Sequence, residues 1–174
     1  ALAGITNITP NHLDWHQDES QYRDCKMAIG QFQSAGDTLL HASDCPSLAP
    51  DIMLRVLGEH NRANAAMAIA LASTAAPVSP ESLNSFTGLP HRLSAVGAHV
   101  PPRFIDDSKS TTPEATVLAV QSFDDVSRVH LIAGGYDKGI SLDAIAMLAP
   151  QLGRLYTIGA TGEHLAASAG PNST

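Results

Sequence analysis

Strand-like and helix-like runs take turns along this chain, with short loops between them. Residues 3–9 form an apolar run stopped by Pro10 and Asn11, the pattern of a short strand. The spacing over 19–32 predicts a helix whose inner face carries Tyr22, Cys25, Met27 and Ile29. Residues 37–41 and 52–57 read as strands, with a loop over 44–50. An Ala-rich helix is expected over 61–74, capped by His60 and Asn61 and closed by Ala76 and Pro77. Ser79 starts another helix with Pro80 at its first position, ending at Gly88.

Beyond Gly88 the blocks shorten. Residues 93–96 and 103–105 read as a strand pair, 113–121 as a helix and 129–133 as a buried strand. Residues 141–148 read as a helix, 154–158 as a strand and 162–168 as a last helix. Such alternation implies α/β architecture: a mostly parallel sheet with right-handed crossovers. A boundary near residues 88–90 divides the chain into parts of 1–89 and 90–174. No internal repeat or low-complexity tract is evident.

Composition narrows the function classes. The 174 residues carry a formal net charge of −7 with no Lys/Arg run, which argues against nucleic acid or an anionic membrane as partner. The longest apolar stretch, 65–72, is far too short to span a bilayer. The first ten residues lack the basic-then-apolar pattern of a signal peptide, and an initiator Met is missing. The two cysteines, Cys25 and Cys45, have neither metal nor redox spacing, so a reduced, cytoplasmic protein is expected.

Candidate chemistry lies in five blocks: NITPNHLDWH (7–16), GEHNRANAA (58–66), GLPHR (88–92), FIDDSKSTTPEAT (104–116) and HLIAGGYDKG (130–139). The last three place basic and hydroxyl side chains at strand ends or helix starts, where backbone N–H groups also point outward, concentrating donors for phosphates and carboxylates. His12, Asp14 and His16 alternate and would share one side of an extended segment, as metal ligands or as a plain polar loop. Asn61 and Asn64 stand three apart on one helix face, as a cap plus a surface residue or as a pair of ligand contacts. Asp107, Lys109 and Thr111 alternate before Pro113 and Glu114, a capping turn at the least. Gly134 and Gly135 permit a tight turn with Lys138 behind it, at a strand end where doubly wound sheets place ligands. Lys26 on its helix reads as a solvated surface group on its own merits.

Together these blocks resemble the Mur ligases, which use ATP to join an amino acid to a carboxylate of a peptidoglycan precursor. The resemblance covers nearly the whole chain. It implies part of the central ATPase domain in 1–89 and part of the Rossmann-like, amino-acid-binding C-terminal domain in 90–174. It assigns Asn61, Asn64, Arg92 and Asp107 to ATP, Lys109 and Thr111 to reactant binding, and Lys138 to a carboxylate of the incoming amino acid. His12 would help hold Mg²⁺, together with Lys26 carbamylated by CO₂; Asp14 and His16 would be structural or support the ligands from behind. His12, Lys26 and Lys138 are the residues expected to carry catalysis.

The SK pair in DDSKSTT points, by the same resemblance, to the member adding D-glutamate to UDP-N-acetylmuramoyl-L-alanine, a monomer at full length. Alternatives are another Mur-type or folylpolyglutamate-type ligase and a non-catalytic nucleotide-binding module. The phosphate-cradling G-x-x-x-x-G-K-[ST] pattern is missing from these 174 residues. The expectation is therefore an internal fragment, inactive by itself.

Overall fold

In the computed structural model, which describes residues 1–9, 15–97 and 101–174, the chain divides into two compact units, Ala1–Thr87 and Gly88–Thr174. In the first unit, strand β1 (Leu2–Ile5) runs parallel to β2 (Thr38–His41), with Leu2 facing Thr38 and Ile5 facing His41. Parallel pairing requires a crossover, and helix α1 (Glu19–Met27) supplies it. Asp18 caps α1 through its side chain, which accepts the Gln21 amide at 2.8 Å. Helix α2 (Glu59–Ser73) covers the sheet, burying Ala66 and Met67. Gly4 makes that approach possible, since a Cβ there would stand 2.4 Å from the Met67 methyl.

Several local expectations need correction in this unit. The helix foreseen over 19–32 gives way to a 3₁₀ turn at Ala28–Gly30, and only Tyr22 of its foreseen inner face is buried; Cys25 and Ile29 are exposed. Residues 52–57 are not a strand. The Arg62 guanidinium donates to the carbonyls of Leu48 (3.2 Å), Ala49 (2.8 Å) and Ile52 (2.8 Å), so a side chain rather than a neighbouring strand takes up these acceptors. The helix foreseen from Ser79 is a 3₁₀ segment, Pro80–Ser85.

The second unit opens with an antiparallel pair, β3 (Ser94–Val96) and β4 (Phe104–Asp106). Helix α3 (Pro113–Val120) follows, capped by Thr112, whose hydroxyl accepts the Ala115 amide at 3.3 Å. Strands β5 (His130–Gly134) and β6 (Arg154–Ile158) pair in parallel, linked through the short helix α4 (Asp143–Ala146). Helix α5 (Gly162–Ala169) follows β6, and Ser173 then bridges back to Leu155 in parallel.

One core serves this unit. Val120, Ile145, Leu148, Ala149, Leu152, Leu155, Leu165 and Ala169 pack together from α3, α4 and the 3₁₀ turn that follows it, β6 and α5. Strand β5 alternates rather than being buried throughout: Leu131 and Ala133 pack on the core, while Ile132 on the other face is 66% exposed. Leu155→Ala should therefore cost about 2–5 kcal/mol of unfolding free energy, whereas Ile132→Ala should stay within about 1 kcal/mol of the parent. Urea unfolding followed by circular dichroism compares them, and equal losses would contradict this assignment of the core.

Candidate functional site

The chemistry-bearing residues of the second unit gather at two places. At the first, the turn after β4 meets the segment that opens the unit. Two consecutive aspartates make the junction. The Asp106 carboxylate takes the His91 ring at Nδ1 (2.7 Å) and the Ser108 amide (2.9 Å), while Asp107 accepts the Leu93 amide at 2.9 Å. The Lys109 amide donates to the His91 carbonyl at 3.1 Å, and the Ser94 hydroxyl bonds the His91 amide and the Asp106 carbonyl. His91 (φ 64°) and Leu93 (φ 46°) both hold left-handed backbone, unusual for side chains of their kind. Between them Arg92 is exposed, and neither it nor the Lys109 ammonium has an ion-pair partner among the described residues.

At the second place, two loops leave the C-terminal ends of β5 and β6 in direct contact. A Cβ on Gly134 (φ 125°) would lie 2.1 Å from the Ile158 carbonyl oxygen, so only glycine fits there. Thr161, nine-tenths buried, accepts the Gly135 amide through its hydroxyl at 3.1 Å, and its own amide donates to the Gly135 carbonyl at 3.1 Å. By position Thr161 is the N-cap of α5, yet its hydroxyl caps nothing in the helix because Gly135 has taken it. A cavity of about 280 Å³ opens here, with Asp137, Ser141, Thr161 and His164 among the residues around it. Lys138 sits exposed in the loop between Asp137 and Gly139, a loop tightened by the Gly139 amide donating to Asp137 at 2.8 Å.

In the first unit, Asn61 lies in the first turn of α2, its amide donating to the Leu57 carbonyl at 2.6 Å, and Asn64 is exposed one turn on. Lys26 is exposed on α1 with its ammonium 5.2 Å from the Tyr22 ring centroid, and the His16 ring meets Tyr22 edge-on at 5.1 Å. Thr111 is exposed just ahead of the Thr112 cap. His12 and Asp14 lie outside the described residues. Among the described residues no three His, Cys, Asp or Glu side chains cluster as metal ligands would. The donor chemistry around Arg92 and Lys109 does fit the anionic phosphates of a nucleotide.

Four residues of these clusters are not among the sequence candidates: His91, Asp106, Thr161 and His164. His91 adjoins Arg92, Asp106 adjoins Asp107, and the G-A-T-G run after β6 repeats the strand-end glycine signal of GGYDKG.

The backbone matches the crystal structure of MurF from Acinetobacter baumannii with a TM-score of 0.75, over 99% of this chain and 49% of that one, at 18% identity. The chain has the Mur ligase fold. Its sequence is 40% identical to UDP-N-acetylmuramoylalanine–D-glutamate ligase of Agrobacterium fabrum over 97% of this chain and 45% of that protein. It is 30% identical to UDP-N-acetylmuramoyl-L-alanine–L-glutamate ligase of Xylella fastidiosa over 98% of this chain and 44% of that protein. The resemblance to the Mur ligases thus extends along nearly the whole chain, which spans less than half the length of the curated relatives it matches. No family model matches. No helix among the described residues is long and apolar enough to cross a membrane.

Asp106 supplies a pH prediction. The Ser108 amide and then the His91 ring stabilise its carboxylate, holding its pKa near 2 instead of 3.8. A pKa depressed by folding stabilises the folded state above the unfolded value, and that stabilisation is lost as pH falls through the folded one. The Asp106 carboxyl carbon should accordingly titrate near pH 2 in a ¹³C NMR experiment, and higher in His91→Gly; an ordinary carboxylate midpoint in the parent would contradict the contact.

Proposed function

We propose that this chain forms part of an ATP-dependent amide ligase that adds D-glutamate to UDP-N-acetylmuramoyl-L-alanine in peptidoglycan precursor synthesis. The observation that supports it most is the similarity to glutamate-adding ligases along 92–98% of the chain, which takes in both clusters of the second unit. The first unit then belongs to the ATP-binding domain and the second to the amino-acid-binding domain.

The chemistry asks for activation, because a carboxylate is a poor electrophile. The muramoyl-alanine carboxylate attacks the γ-phosphorus of ATP, giving an acyl phosphate and ADP. The glutamate amine then attacks the acyl carbon, phosphate leaves, the amine loses a proton, and an amide remains. This chain's part is positioning and charge neutralisation. Arg92 offers a planar fork of donors to phosphate oxygens, and Lys109, whose amide bonds the residue before Arg92, adds a point charge. Asn61 and Asn64 present amides that both donate and accept, as an adenine edge requires. Asp107 keeps one carboxylate oxygen for a ribose hydroxyl while the other holds the Leu93 amide. Thr111 joins Lys109 in reactant binding, and Lys138 pairs with a glutamate carboxylate. Mg²⁺ would neutralise phosphate charge when bound; the resemblance assigns His12 and a carbamylated Lys26 to it.

The amino acid's hand is the finer part of this reading, since relatives named for D-glutamate and for L-glutamate both match. The SK pair of DDSKSTT (Ser108 and Lys109) favours the D form.

NMR titration of the chain with D-glutamate, L-glutamate and ATP tests the reading. D-glutamate should shift the amides of residues 135–139, and Lys138→Ala should weaken it about tenfold or more, as loss of a charge-assisted bond implies. Arg92→Ala should weaken ATP and leave glutamate unchanged. Tighter binding of L-glutamate would transfer the specificity to that isomer. Equal effects of Lys138→Ala on ATP and glutamate would reduce Lys138 to a structural residue.

A further inference from the structure

We infer that His91 is a positioning residue for Arg92: its contact with Asp106, together with the Leu93–Asp107 bond, ties the backbone flanking Arg92 to the turn after β4. The inference rests on the reading of Arg92 as a phosphate ligand, and it goes further by saying what aims the guanidinium.

The starting point is the backbone. Non-glycine residues rarely adopt left-handed φ, and the cost of doing so is met by surrounding contacts that leave no alternative. Here two such residues flank a single arginine, at 64° and 46°. Each is tied to the DDS turn by its own aspartate. His91 reaches Asp106 through Nδ1 at 2.7 Å, and Leu93 reaches Asp107 through its amide at 2.9 Å. The Lys109 amide closes the ring by donating to the His91 carbonyl at 3.1 Å. Arg92 and Lys109, the two cations of the candidate phosphate site, are thereby joined by a short path of hydrogen bonds. A linker arginine would sweep a wide volume; this one starts from a backbone held at both sides. The ordering of its main chain is complete before any anion arrives, which reduces the entropy lost when the guanidinium engages one.

The arrangement also gives the two aspartates separate tasks. Asp106 takes the imidazole on one oxygen and the Ser108 amide on the other, whereas Asp107 holds the Leu93 amide with one oxygen and has its second for a ligand hydroxyl. Either imidazole state able to donate from Nδ1 keeps the contact.

Amide hydrogen exchange on the chain tests this directly, with the β6 amides around Leu155 as a control for folding. His91→Gly keeps the left-handed backbone at no steric cost and removes only the ring. Exchange at Leu93 and Lys109 should be slow in the parent and about tenfold or more faster in His91→Gly, as expected for losing a bond to a charged group. His91→Asn, which tolerates left-handed φ and offers an N–H donor, should recover part of the protection. ATP titration adds the functional arm: His91→Gly should weaken ATP, and His91→Gly combined with Arg92→Ala should be no weaker than Arg92→Ala alone. Unchanged exchange at Leu93 and Lys109 in His91→Gly would overturn the inference, as would additive losses in the double variant. If ATP does not bind the parent chain, the phosphate reading of Arg92 fails, while the exchange data still decide whether His91 orders that segment.

Discussion

The bonds between Gly135 and Thr161 are the constraint on which the second cluster depends. Two parallel strands end side by side, and each must pass into a loop that points the same way. Gly134 allows the crowding, since any side chain there would strike the Ile158 carbonyl. Thr161 then uses its hydroxyl and its amide on one residue of the neighbouring loop. A buried polar group left without partners would be costly, so this threonine and this glycine hold each other in place. The Lys138 loop springs from that anchor, and so do the wall of the cavity and the first turn of α5.

The other cluster works by the same rule, in which short polar side chains are spent on backbone so that long cationic ones stay free. Asp106, Asp107 and Ser94 all bond within the protein, whereas Arg92 and Lys109 have no ion-pair partner among the described residues. The first unit shows the contrasting case. Arg62 spends its guanidinium on three carbonyls of one loop, which makes it an organiser of structure, while Asn64 beyond it remains exposed. Whether a cation serves a ligand or the fold depends on which acceptors the chain has left unpaired nearby, and residue type alone does not reveal that.

The same limit explains what could be read from the sequence. The helices α2, α3 and α5 and strand β6 follow from local periodicity and caps, because each is decided within a dozen or so positions, and parallel pairing follows from the way strands and helices alternate. The apolar residues of the run 52–57 suit a strand, yet its first carbonyl, on Ile52, belongs to an arginine ten residues on. Strand β5 read as buried because its residues are β-prone, but only one of its faces meets helices. Lys138 and Arg92 could be singled out from their motifs. His91, Asp106 and Thr161 could not, since each matters only through a partner that the fold brings close: 15 positions away for the first two, 26 for the third.

The measurement that tests this account most directly is the affinity of a Thr161→Val chain for D-glutamate. Valine keeps the shape of threonine and the backbone bond to Gly135 but removes the hydroxyl. If the bonds between Gly135 and Thr161 aim the Lys138 loop, binding should weaken although circular dichroism still reports the parent's helix content. Affinity equal to the parent's, with the Gly135 amide as protected from exchange as before, would contradict it.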